Sequence, residues 1–266
     1  MTNVPTTAAG LLLSACLLFS SAAAAPAARP TAVPVLLTAT ERVVYTAAFE
    51  QHVALTYARA GLTSAGLPVE VFRQALVGLY NLRQQGSVGR QNQVISIIDF
   101  SRASKQKRLW IVDVAQGRLL HHSLVAHGKN SGEQYALNFS NQEGSEMSSL
   151  GFYVTGNTYQ GKHGLSLKLH GVDAGYNTNA LSRAVVVHGA DYVSEQFVQQ
   201  HGRLGRSQGC PALPVAQAPA IIRTIKGGTV LFIHGPSRSA YRSSWLGLDP
   251  ALVAFAQEKG LLSHAG

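Results

Sequence analysis

"QVISIIDFSRASKQKRLWIVDVAQGRLLHHSLVAHG", residues 93–128, is a run of short β-branched or alternating segments broken by polar and Gly-containing turns. Apolar residues that alternate or cluster over four to eight positions between turn residues read as strands. The pattern continues downstream in "SLGFYVTG", "GLSLKLHG", "RAVVVHG" and "TVLFIHG". These runs lie too close together to admit a helix between each pair, so they predict an antiparallel or mixed sheet rather than a doubly wound parallel one. Two helical insertions interrupt them, "DYVSEQFVQQHG" and "VAQAPAIIRTIKGG". Upstream the texture differs. "RVVYTAAFEQHVALTYARAGL" and "PVEVFRQALVGLYNLRQQG" space apolar residues three and four apart, as in Phe72, Leu76, Leu79 and Leu82. That spacing predicts two amphipathic helices, the second opened by Pro68. The expected class is α+β.

The amino terminus supplies the cellular context. "AAGLLLSACLLFSSAAAAPAARP" joins an apolar run to small residues of the Ala-x-Ala kind, which reads as a signal peptide cleaved near residue 25. Its n-region carries no Lys or Arg. A second reading takes "LSAC" as a lipoprotein processing site that leaves a lipid anchor on Cys16. The apolar run is too short for a membrane span, so no integral membrane domain is expected after signal removal. The chain then divides into 1–25 signal, 26–40 linker, 41–88 helical segment, 89–240 β-rich catalytic domain and 241–266 C-terminal tail or helix. Export to the periplasm or cell envelope is the expected localisation.

The formal charge of +9 lies wholly outside the signal and favours anionic partners. Nucleic acid is not among those expected: the arginines are scattered, no zinc-finger spacing occurs, and the export signal points away from the nucleoid. Either processing route removes Cys16 as a disulfide partner. Cys210 is then a lone thiol in a compartment where disulfides form, a reason to read it as reactive rather than inert.

Histidine followed by glycine recurs at strand ends, at His127, His170, His188 and His234. No close His pair on a helix and no carboxylate at ligand spacing accompanies them, so no metal site is expected. His121 and His122 alternate faces of one strand. His188 differs in closing the aliphatic run "RAVVVHGADY", a buried strand that delivers its last side chain to the rim of a rigid sheet. Cys210 follows 22 positions later, after a helix and a Gly-rich turn. A neighbouring imidazole and positive charge can lower a thiol from about 8.5 to about 3.5–7.5, and Arg203 and Arg206 are candidates to add that charge. If the thiolate attacks a carbonyl, the oxygen needs donors about 3 Å away. The backbone amides of Gln208, Gly209 and Cys210 are the expected oxyanion hole, and Ser207 braces the turn or contacts substrate.

At "VVVHGA" followed by "GRSQGCPALP" the chain resembles the YkuD-type L,D-transpeptidases of bacterial cell walls, whose pattern is His-Gly at a strand end and then a Ser/Thr-His-Gly-Cys turn. Gln208 stands where that family has a histidine, and Pro211-Ala212-Leu213 departs from its usual ending. These departures look like the divergent branch of murein L,D-transpeptidase catalytic-domain proteins. That branch is also similar in "VAHGKNSG", "FSNQEGSEMSSLGFYVT" and "YQGKHGLSLKLHGVDAGYNTNA". The resemblance covers about residues 90–235 and stops short of the N-terminal helices.

The resemblance implies a β-sandwich-like catalytic domain. It makes Cys210 the nucleophile, His188 its base, and Gly189 the carbonyl that orients His188. The implied partners are peptidoglycan stem peptides. Cys210 would attack the L-centre carbonyl of an L,D-peptide bond, expel the D-amino acid and hold a thioester until an amine of another stem resolves it. No cofactor is required. Stem carboxylates suit Arg203, Arg206 and the lysines at 162 and 168, while His170, His127, Tyr192 and Asn177 are candidate substrate contacts. The Gly/Ser/Asn-rich stretch 128–149 reads as a lid, a substrate loop or a surface excursion. Alternative functions are an L,D-carboxypeptidase using water as acceptor, transfer to a different amine, and an inactive peptidoglycan-binding protein. A secreted cysteine protease of another fold is the most distant, since no papain-like context is present.

Overall fold

In the computed structural model, which describes residues 1–2 and 37–261, the two N-terminal helices form as the sequence predicts. Helix α1 (Ala39–Arg59) starts at a reciprocal cap: Thr38 Oγ1 accepts from Glu41 N, and Glu41 returns an acceptor to Thr38 N at 2.8 Å. Helix α2 (Val69–Gln84) follows Pro68, whose fixed φ suits a helix entry. The signal, the possible anchor site Cys16 and most of the linker fall outside the described residues.

The β-rich part contains β1 (Val94–Asp99), β2 (Leu109–Asp113), β3 (Arg118–Ser123), β4 (Gly151–Gly161), β5 (Gly164–Gly171), β6 (Val186–Gly189), β7 (Ala212–Leu213) and β8 (Val230–His234). Helix α3 (Glu195–His201) and helix α4 (Ala218–Ile225) are the two insertions, and α5 (Leu248–Glu258) closes the chain. The strands form one order, β3-β2-β1-β8-β4-β5-β6-β7. Pairing is mixed: β1 runs parallel to β8 and β6 parallel to β7, and the remaining pairs are antiparallel. The chain just past β3 returns to the far edge, where Ala126 bridges Ala212 and Gly128 bridges Ser207. The two edges of the order therefore meet, and a sheet that would otherwise expose unpaired amides is closed.

Period-two alternation sorts the strand residues between two cores. Ile95, Ile97, Trp110, Val112, Phe152, Val230 and Phe232 pack with α1, α2 and α5. Ile98, Leu109, Ile111, Tyr153, Leu167, Leu169, Val187, Leu231 and Ile233 pack with α4 in a second core. Strands from both halves of the closed sheet meet there, a barrel-like sheet with helices packed on it, in keeping with the expected α+β class. Residues 41–88 and α5 share their core with the strands, so the helices are part of the same compact unit and not a tether. Arg83 of α2 reinforces this from inside, pairing with Glu258 of α5 at 2.8 Å and donating to Asn92 O at the entry to β1.

Helix α2 comes closest to the sheet at Gly78. A Cβ built there would lie 2.1 Å from the ring of Phe152, itself stacked on Phe232 at 4.3 Å. We expect Gly78→Ala to destabilise the protein by about 1–3 kcal/mol, because displacing a fully buried ring outweighs the gain of about 1 kcal/mol in helix propensity. Chemical denaturation measures this, and a more stable variant would show that the ring shifts freely.

Candidate active site

The site is built where β6 and β7 run parallel, pairing His188 with Ala212 and Gly189 with Leu213. Continued back by two residues, that pairing lays Cys210 beside Val186. The sulfur accepts from Val186 N at 3.4 Å and donates to Ala184 O at 3.7 Å. Ala184 holds a left-handed φ of 53°, a conformation that is uncommon without glycine. Its local strain is retained by hydrogen bonds on either side, Ala184 N to Leu181 O and Val185 N to Ala180 O.

The turn leading to the sulfur is held by Ser207, which accepts from Gly209 N at 3.1 Å and donates to Cys210 O at 2.6 Å. Gly209 has φ 120°, and a Cβ on it would meet Met147 O at 2.8 Å, so glycine is required by both dihedral and space. Ser207 is buried and braces the turn, the first of the two roles expected of it. One sequence expectation is corrected here: the Gly209 amide donates to the Ser207 hydroxyl and so is engaged within the turn. Among the described residues the amides of Gln208 and Cys210 have no protein acceptor. They are the remaining members of the expected hole.

His188, 4% exposed, donates from Nδ1 to Gly189 O at 2.9 Å. A carbonyl only accepts, so the neutral ring carries its proton on Nδ1 and presents a lone pair at Nε2. Burial, followed by the charges of His163 and Lys162, pushes the imidazole below its ordinary value. Among the described residues no hydrogen bond joins sulfur and imidazole; the sulfur's partners are the Ala184 and Val186 backbone. Catalytic hydrogen bonds often tighten only with substrate present.

Burial pushes Cys210 up, opposed by the Val186 amide and by the charges of Arg183 and Lys162. This corrects the expectation of a depressed thiol activated by Arg203 and Arg206. Those two arginines are both paired with Glu133, at 3.0 and 2.6 Å, and latch the 128–149 stretch to the turn. Arg183, which the sequence reading passed over, is the nearer charge. It donates to Ser140 O, Ser149 Oγ, Ser145 Oγ and Met147 O, and so ties the same stretch to the strand that carries His188. Its only sequence signal was its place at the head of "RAVVVHG".

The 128–149 stretch therefore frames the site. Lys129 N reaches Ser207 O and Ser148 Oγ reaches Gly209 O, while Leu137, Phe139, Met147 and Tyr176 line a cleft of about 620 Å³ on its other side. The remaining candidates separate. Tyr192 is half-buried against Gly205, its phenol pushed up to about 12 by burial and then by Cys210, so it belongs to the site's surroundings. His170 is exposed on β5 over Gly156, and Lys168 beside it reaches over the Tyr159 ring.

His127 and Asn177 are corrected as substrate contacts: both are fully buried. Nδ1 of His127 accepts from the buried Arg108 at 2.8 Å, and burial with that charge pushes the ring down to about 3. Asn177 bridges Leu150 O, Phe152 O and Asp173 N, which fixes the segment leading to Arg183. His121 and His122 do face opposite ways, to Thr224 and to the Trp110 ring. Among the described residues no group of three His, Cys, Asp or Glu side chains is placed to hold a metal.

Residues 63–234 match the family model described as the L,D-transpeptidase catalytic domain, a span that takes in α2 as well as the strands and both site residues. No curated protein matches the chain. Among solved structures, the chain is similar to an L,D-transpeptidase from Mycobacterium smegmatis, with 14% identity over 53% of this chain and 58% of that one and a TM-score of 0.33. It is similar to an L,D-transpeptidase from Mycobacterium tuberculosis H37Rv at 13% identity, 53% and 57% coverage and a TM-score of 0.32. A third, from Xylanimonas cellulosilytica, shows 14% identity, 55% and 63% coverage and a TM-score of 0.32. The chain spans about half to three fifths of the solved chains it matches first.

The burial of the thiol makes a direct prediction. Alkylation of Cys210 by iodoacetamide should be slow at neutral pH and rise with an apparent pKa above that of a free cysteine. Arg183→Met should move that midpoint higher still, because a stabilising cation is lost. A midpoint at or below the ordinary thiol value would refute this balance of burial against charge.

Proposed function

Because the chain belongs to the L,D-transpeptidase catalytic-domain family, we propose that it is a cell-wall acyltransferase in which Cys210 forms a thioester with a peptidoglycan stem peptide. The observation that carries the reading is the Gly189 carbonyl on His188 Nδ1, which reserves Nε2 as a base on β6, the strand at whose first residue, Val186, the sulfur is held. Nε2 takes the thiol proton as sulfur attacks the carbonyl on the L-side of an L,D-peptide bond. The amides of Gln208 and Cys210 receive the developing oxyanion, while Arg183 and Lys162 favour the thiolate. Collapse of the tetrahedral species breaks the C–N bond, and the imidazolium returns its proton to the departing D-amino acid. An acceptor amine then attacks the thioester, gives a proton to Nε2, and leaves an amide and a free thiol. Residues 1–25 would act as the export signal that brings the domain to its substrate. No helix among the described residues is long and apolar enough to cross a membrane.

A base and a thiol whose charged forms burial disfavours fit this chemistry. Proton transfer occurs only as the carbonyl is attacked, so no reactive thiolate stands exposed in an oxidising compartment.

Incubation with a disaccharide-tetrapeptide, followed by mass spectrometry, should give dimer with the wild type and none with Cys210→Ala. Tripeptide without dimer would make water the acceptor and the protein a carboxypeptidase; binding without turnover would make it an inactive binding protein. His188→Gln should cut acylation by about 10²–10⁴-fold with the fold retained. The acid limb of the wild-type rate profile should lie below the ordinary imidazole value, since burial disfavours the imidazolium.

A further inference from the structure

The β4–β5 hairpin contributes a second imidazole to the base. Gly161 pairs with Gly164 across a two-residue tip, Lys162-His163, with Gly164 at a left-handed φ of 73° that lets the tight turn follow the strand twist. The His163 ring lies on the His188 ring with centroids 4.5 Å apart and planes 27° from parallel, a stacked geometry. The two differ in exposure: His188 is buried, whereas His163 is exposed and forms its outer cover. One edge of His188 is fixed by the Gly189 carbonyl, but that single hydrogen bond leaves the ring free to tilt about it. A flat ring on the face removes that freedom.

We infer that His163 is a positioning residue for His188: its ring, carried on the hairpin tip, fixes the plane of the base imidazole and covers its solvent side. The inference rests on the reading of His188 as the base. The charged and titratable groups that act on that imidazole are Lys162 and His163, both on the hairpin. Lys162, the lysine of that pair, opposes a charge on His188. A base kept neutral and correctly oriented near pH 7 is what thiol deprotonation requires.

The test compares His163→Ala, which removes the ring, with His163→Phe, which keeps a flat ring without imidazole chemistry. The side chain is exposed at a hairpin tip, so both variants should melt like the wild type. The readouts are the His188 ring-proton titration by NMR and the single-turnover acylation of Cys210 by a disaccharide-tetrapeptide across pH. In His163→Ala we expect the His188 midpoint to rise by about half a pH unit or more, and acylation at pH 7 to fall about tenfold or more. His163→Phe should restore most of the rate and bring the midpoint back toward the wild-type value, since it restores the cover. An unchanged His188 titration in His163→Ala overturns the proposal whatever the rate does. A loss of rate that phenylalanine fails to restore also overturns it, since the role would then be contact with substrate. Undiminished acylation in His188→Gln removes the base reading instead, and does so independently of either His163 variant.

Discussion

Two residues of parallel pairing between β6 and β7 hold the candidate site together. That pairing is short, and β7 on its own could not stay folded. It persists because Ala190 N extends the ladder to Leu213 O while the other side is enclosed: Ala212 bridges Ala126, and Ser207 exchanges hydrogen bonds with the backbone around His127 and Lys129. Closure of the sheet and placement of the sulfur are thus one event. If the edges did not meet, the turn from residue 202 to 214 would have no partner and Cys210 no fixed neighbour.

Around this junction the protein uses buried polar groups for position and surface charges for reach. Arg108, pushed down to about 9 by burial, donates to the Val125 and Arg102 carbonyls and to His127, and so fixes the strand from which the turn hangs. Asp173 accepts from Phe152 N and the Tyr241 hydroxyl and anchors the approach to Arg183. Each such group is satisfied by several partners, as it must be where an unpaired one would cost several kcal/mol. The resulting frame is stiff, and within it burial disfavours the charged forms of both His188 and Cys210.

Much of this was legible in the residues themselves. The alternation of "QVISIIDF" and "TVLFIHG" showed strands with two buried faces, and Phe72, Leu76 and Leu79 showed a helix with an apolar stripe. The motif around His188 and Cys210 marked the pair. Less legible were the contributions of long-range contact. Arg203 and Arg206 lie next to the cysteine in sequence yet turn to Glu133, while Arg183, 27 positions earlier, faces the sulfur. Proximity along a chain says little about proximity of charge once the chain reverses direction. His127 and Asn177 misled for a related reason: a polar residue at a strand end reads the same whether it faces a cleft or closes a buried network.

By itself the sequence determined the α+β class, the places of nearly all strands and helices, and the identity of the candidate nucleophile and base, because hydrophobic period, turn residues and a local motif are properties of neighbouring residues. Tertiary structure alone decided the strand order, the meeting of the sheet edges, the capture of the Gly209 amide by Ser207, the burial that pushes the thiol up and the stacking of His163 on His188. Those depend on burial and on contacts between segments far apart in the chain, which exist only once the sheet has closed and water has been excluded.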